Sequence, residues 1–287
     1  MRSLPKPIAA FYDVFDLCME GVGRAVLKKN YEDIRGDLYK DASDYDVLAA
    51  QGDLWKIVPN NQLKDDVVVG NVTKKQLRGL YSNYMVAEGK PGRAIYDGLM
   101  ASAPLEMCPY CGVGRVSTLD HYLPKAKFPR LSIVVENLIP ACKDCNMGTK
   151  GTAVAVNAES QPIHPYYEGV DFNSAQWLFC DVLQTSPATI IYYANPPVSW
   201  SPVDRKRVGA HLKSFDLSAR FSFQAAEELS HVRQTFIQYY RNSPSNERRD
   251  YLVQLETAEY ALRPNSWKRA MYQALSNSQW YCDGGYQ

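Results

Sequence analysis

The sequence predicts an α+β fold, a mostly helical chain interrupted near its middle by a strand, a loop, a second strand and a short helix. Three observations lead there. Apolar residues recur at spacings of three and four along both flanks, the period of helices with one buried face. Short β-prone runs gather between residues 116 and 140. Four cysteines come as two Cys-x-x-Cys pairs that flank this same stretch, with 30 residues between them.

Taken in order, Ile8, Phe11, Phe15, Cys18 and Val22 share one helical face. Asp41 or Ser43 can cap a short helix that stops at Gly52, and Thr73 can cap another carrying Leu77, Leu80, Tyr81 and Tyr84. The GKPG run at 89–92 ends that helix, and Pro91 is placed to start one bearing Ile95 and Leu99. Residues 116–119 and 131–135 read as strands, separated by a loop with Pro124 and Pro129 and followed by Asn137-Leu-Ile-Pro. A short helix begins near Asn146. Beyond it, 176–183 and 189–194 read as a strand pair, followed by helices at about 203–214, 218–242, 246–262 and 265–279, with Pro264 forcing the last break. The expected organisation is a helical region over 1–104, a ββα unit over 105–152, and strands followed by helices over 153–287.

At 287 residues the chain can bury a full core, and 46% hydrophobic with 22% charged residues is ordinary for a soluble protein. No apolar run approaches the length of a membrane span. The opening MRSLPKPIAAFYDVFD meets acidic residues too early for a secretory signal, so a cytoplasmic protein with no membrane partner is expected. A net charge of +1 argues against a surface that coats phosphates everywhere. Residues 112–150, however, hold six basic residues (Arg115, Lys125, Lys127, Arg130, Lys143, Lys150) against three acidic ones.

Seven cysteines without an export signal do not read as a disulfide framework. In each of the pairs Cys108/Cys111 and Cys142/Cys145, a two-residue gap lets both thiolates face one ion, and together the pairs supply the four ligands of a structural zinc. Two redox motifs or two local disulfides would not explain why both pairs flank one short segment. With four thiolates a zinc is coordinatively closed, so its role is to hold a segment too small to fold alone, at on the order of 10 kcal/mol.

Inside that frame stand groups suited to phosphodiester hydrolysis. His121 is the natural base, and an imidazole near pKa ~6.5 predicts cleavage rising between about pH 5.5 and 7.5. Asp120 is a hard oxygen ligand for Mg²⁺ or Mn²⁺, and Asn146 offers a carbonyl oxygen to the same ion. Neighbouring strand residues face opposite ways, so Asp120 and His121 are expected at an irregular strand end. Lys125 and His164 are candidate phosphate contacts, and Lys150 alone would read as a solvated charge. His211, His231, the Arg205–Arg207 cluster and Arg248-Arg249 sit on helical patterns and read as structural or solvated.

The ordered set Leu119-Asp120-His121-Tyr-Leu-Pro, Glu136-Asn137-Leu138-Ile-Pro and Cys142-x-x-Cys145-Asn146-x-x-x-Lys150 resembles the HNH endonuclease (ββα-metal) superfamily in its zinc-bearing form. The resemblance covers about 45 residues. It implies Asp120 as first metal ligand, His121 as general base, Asn137 as the brace of the intervening loop, Asn146 as second metal ligand and Lys150 as a phosphate contact. Asn at both later positions implies weaker, more substrate-dependent metal binding. The wider arrangement is loosely similar to HNH proteins of bacterial anti-phage defence, such as the Septu-type subunit that works with an ATPase partner. The expected activity is a metal-dependent endonuclease, on DNA before RNA. The alternative is a zinc-stabilised module that binds DNA or protein without cutting, which the near-zero net charge favours.

Overall fold

The apolar spacing near the N-terminus produces helix α1 (Phe11–Glu20), which buries Val14, Phe15, Cys18 and Met19. Ile8 does not join it. That residue precedes the helix and is fully exposed, at 101%. The computed structural model describes residues 2–169 and 171–287, without the side chain of Thr149. Helices α2 (Ala25–Asp33) and α3 (Arg35–Ala50) follow almost without a break. Asp41 and Ser43, expected as caps, therefore lie inside α3. Burial of Ile34 and Leu38 sets the start of that helix, and tertiary packing overrides the local capping preference.

A small antiparallel hairpin, β1 (Val67–Val69) with β2 (Val72–Thr73), leads into α4 (Lys74–Gly79). Here the cap is where the sequence puts it. Gln76 N–H donates to Thr73 Oγ1 at 3.3 Å and Thr73 N–H to Gln76 Oε1 at 2.7 Å, a reciprocal capping box. The helix continues in wider turns through Met85, and α5 (Arg93–Ala101) begins just after Pro91.

The central strands are β3 (Thr118–His121) and β4 (Leu138–Ala141), antiparallel, with Asp120 opposite Ile139 and His121 opposite Leu138. A helical turn at Asp144–Lys150 packs on β3. Residues 131–135 are not the second strand. They link the short turns Pro129–Leu131 and Val135–Asn137, and Ile133, Val134 and Val135 are all buried. The β-branched run serves the core rather than a ladder, which is why periodicity alone misassigned it.

One apolar cluster joins Phe15, Leu38, Leu77 and Leu80 from the helices to Leu119, Ile133, Val135 and Leu138 from the central segment. The N-terminal helices and the central segment therefore share one core. The chain divides into two compact units, one over 2–168 and one over 169–287.

The second unit holds α6 (Asp171–Ser174), the hairpin β5 (Leu178–Leu183) and β6 (Thr189–Ala194), then α7 (Pro202–Ser214), α8 (Leu217–Tyr239), α9 (Ser245–Leu262) and α10 (Trp267–Asn277). The hairpin buries Leu178, Cys180, Ile190 and Tyr192 toward α8 and α10. Pro264 falls between α9 and α10, as expected, and the neighbouring Asn265 Oδ1 accepts from the N–H groups of Trp177 and Leu178 at 2.8 and 3.1 Å. Among the described residues, no helix is long and apolar enough to cross a membrane.

Candidate functional site

The two cysteine pairs meet. Cys108, Cys111, Cys142 and Cys145 are all buried, and their sulfurs lie within 4.8 Å of one another. Cys111 Sγ and Cys142 Sγ are 3.9 Å apart. A tetrahedral zinc with ~2.3 Å bonds requires sulfurs about 3.8 Å apart, so the donor set fits that ion in number, chemistry and spacing. The first pair sits in a turn that Gly112 permits. Its φ is +66°, its N–H donates to Cys108 O at 2.7 Å, and the Gly114 N–H donates to Cys111 Sγ at 3.4 Å. The second pair ends β4 and opens the helical turn, where the Asn146 N–H donates to Cys142 O at 3.1 Å. The cluster thus joins the segment before β3 to the one after β4.

Asn137 holds the long connection between the strands. It is fully buried. Its Oδ1 accepts from Leu123 N at 2.7 Å, and its Nδ2 donates to Leu123 O at 3.1 Å and Leu131 O at 3.3 Å. Ser132 is held in turn by a 2.6 Å bond from its hydroxyl to Leu77 O on α4. This places the Ser132 carbonyl to accept from His121 Nε2 at 3.0 Å. Nε2 then carries the hydrogen, and Nδ1 is the nitrogen with a lone pair.

His121 lies edge-on to the Tyr81 ring, with centroids 4.5 Å apart. Burial, together with the nearby Lys125 charge, pushes its pKa down to about 3. The imidazole is therefore neutral through the whole range in which the sequence predicts a titration. The rise in cleavage expected between about pH 5.5 and 7.5 assumes a solvated ring, and for a ring held neutral by burial it would lie at lower pH.

Asp120 is 2% exposed, and its Oδ2 accepts from Tyr110 OH at 2.9 Å and from Lys150 Nζ. Lys150 also donates to His121 O at 2.9 Å and is itself only 5% exposed. This corrects the expectation for Lys150. It does not reach out to a phosphate but neutralises the carboxylate, because the helical turn carries it back across β3. Burial raises the Asp120 pKa, while Lys150 and Tyr110 oppose that shift. Asn146 Nδ2 donates to Thr118 Oγ1 at 2.9 Å and Leu119 O at 3.2 Å, leaving the amide oxygen as the end available to a cation.

Asp120, His121, Asn146 and Lys125 line one cleft of about 390 Å³. The strand pairing is regular through Asp120 and His121, contrary to the expected irregularity. Both reach the cleft because β3 ends at His121. Lys125 Nζ lies 4.1 Å from the centre of the Tyr81 ring, and burial, with Arg78 close by, pushes its pKa down to about 8. His164 is elsewhere. It is buried among Tyr45, Tyr122 and Tyr167, with Nδ1 accepting from Tyr166 N–H at 3.2 Å and Nε2 3.0 Å from Tyr45 OH. Sequence reasoning missed Arg78, Tyr81, Tyr96 and Tyr110. Their only signal is a helical face or a place inside the first cysteine pair, and neither marks a site.

No family model and no solved structure matches the chain. Protein ea31 of Escherichia phage lambda is 33% identical over 292 residues, covering 97% of this chain and 98% of that protein. Identity at that level along the full length of both proteins means that the chain belongs to the family of ea31.

Proposed function

We propose that the central hairpin and helical turn form an HNH (ββα-metal) unit and that the protein hydrolyses phosphodiester bonds in nucleic acid, DNA before RNA. The observation that carries the reading is the convergence of Asp120, His121 and Asn146 on one cleft, with the loop between the strands braced by Asn137. In this reading neutral His121, oriented through Nε2, takes a proton from water at Nδ1 as the water attacks phosphorus. The remaining Asp120 oxygen and the Asn146 carbonyl are hard ligands that would hold Mg²⁺ or Mn²⁺, with water and a phosphate oxygen completing the shell. Such an ion, when bound, supplies charge that stabilises the leaving 3′-oxygen. Lys125 and Arg78 face the substrate backbone from the cleft wall. Lys150 opposes the upward push of burial on the Asp120 carboxyl.

Plasmid incubated with the full chain and Mn²⁺, with and without EDTA, tests the reading. Cutting that stops with chelator and in a folded, zinc-loaded His121→Ala variant is expected. Equal cutting by that variant would falsify the assignment of the base. One observation favours the second reading, a binding module: the pairing of Lys150 with Asp120 leaves a single carboxylate oxygen for a divalent ion. Saturable duplex binding with no cleavage under any divalent ion selects it. The looser likeness to defence nucleases adds an ATPase or other defence-system partner, to be sought by co-purification with the full chain.

A further inference from the structure

We infer that Arg78 is the residue of the cleft that grips a backbone phosphate, the part that the family resemblance assigns to Lys150. The inference rests on the reading that this cleft receives nucleic acid, and it adds a residue from outside the central hairpin and helical turn. Arg78 stands on α4 and lines the cleft together with Asp120, His121, Lys125 and Asn146.

The charges of the cleft leave two cations over. Among the described residues that line it, Asp120 is the one acid, and Lys150 already pairs with that carboxylate. Lys125 lies over the face of the Tyr81 ring rather than on an acid. Arg78 is half-buried, and among the described residues its guanidinium has no acceptor, with Nε itself shut away from solvent. The other half-buried arginines of this unit each donate at least one bond: Arg2 to Pro104 O, Arg35 to Asp16, Arg93 to Asp97 and Arg130 to Asp41. A guanidinium with its whole fork uncommitted, in a cleft with a second cation, fits a phosphate that accepts two of its N–H groups at once.

The backbone of Arg78 is also tied to the proposed base. Leu77, the residue before it, accepts the Ser132 hydroxyl at 2.6 Å, and the Ser132 carbonyl accepts from His121 Nε2 at 3.0 Å. The capping box of Thr73 and Gln76 fixes the start of the same helix. Helix α4 thus brings Arg78 to the cleft on an element joined to His121 by two hydrogen bonds, the support that a binding group needs to hold its place. Phosphate charge is then met from the side of α4, while Lys150 stays on Asp120.

Fluorescence anisotropy of a short labelled duplex, titrated with the full chain in EDTA at several salt concentrations, tests it without cleavage intervening. Arg78→Gln should weaken binding about tenfold or more and reduce the salt slope by about one phosphate contact. Arg78→Lys keeps the charge, so it should restore the slope but not the full affinity, because the fork is lost. The melting temperature should be unchanged in both, since the guanidinium holds no partner in the fold. Arg24→Gln, at an exposed arginine that does not line the cleft, should leave the affinity unchanged. Absence of saturable duplex binding, wild-type affinity in Arg78→Gln, or an equal loss in Arg24→Gln overturns the proposal. So does a lowered melting temperature in Arg78→Gln, which would make the residue structural. Failure of the nuclease reading looks different: no cutting with any divalent ion, while binding still depends on Arg78.

Discussion

Replacing Lys150 by methionine should destabilise the N-terminal unit sharply, and the reason lies in its one ion pair. Both side chains are almost fully buried, at 5% and 3% exposure, so solvent screens neither charge. Methionine keeps most of the volume but strands the Asp120 carboxylate with Tyr110 OH as its remaining side-chain donor. Removing one partner of a buried pair costs about 3–5 kcal/mol, most of it the penalty of an uncompensated charge. For a unit of this size each kcal/mol moves the midpoint by roughly 2–4 °C, which gives a drop on the order of 10 °C. Differential scanning calorimetry of the full chain measures it. The double variant Asp120→Asn/Lys150→Met removes the stranded charge as well and should recover most of the loss, a strong coupling in the double-mutant cycle. A cost below about 1 kcal/mol, the size of an exposed pair, refutes the assignment of Lys150 as the neutralising partner. A double variant no more stable than the single refutes it too.

Cys142→Ser should release bound zinc and unfold the N-terminal unit, since a four-thiolate site contributes on the order of 10 kcal/mol, more than a domain's usual margin; metal content and circular dichroism check this, and a folded variant without metal contradicts it. Asn137→Ala deletes three buried hydrogen bonds and leaves Leu123 N–H without its acceptor, at about 3 kcal/mol, so hydrogen exchange at Leu123 should accelerate alongside a lowered melting temperature. Lys125, held down to about 8 by burial and Arg78, is charged below that pH and neutral above it. Duplex affinity should therefore weaken as pH rises from about 7 to 9, and Lys125→Arg, which stays charged, should remove the effect. The same weakening in both proteins removes Lys125 from the contact surface.

The elements read correctly from the sequence are those whose cause is local. Thr73 caps the helix that follows it, Pro264 cannot continue a helix, and the 176–183 and 189–194 runs can pair through a short turn, with the first strand starting at Leu178. The errors fall where distant packing decides. Asp41 and Ser43 are good caps, but burial of Ile34 and Leu38 draws α3 across them. Residues 131–135 have strand composition, yet the core takes their side chains and leaves the ladder to 138–141.

The cysteine spacing by itself determined that four thiolates could share one ion, because a two-residue gap limits where both sulfurs of a pair can point. Only the tertiary structure decided what each group faces. Lys150 turns inward because a helical turn returns over β3, His121 is held neutral because its ring is buried beside the Lys125 charge, and His164 disappears among tyrosines. Spacing along a chain constrains bond geometry, whereas solvation and charge neighbours are properties of the packed interior.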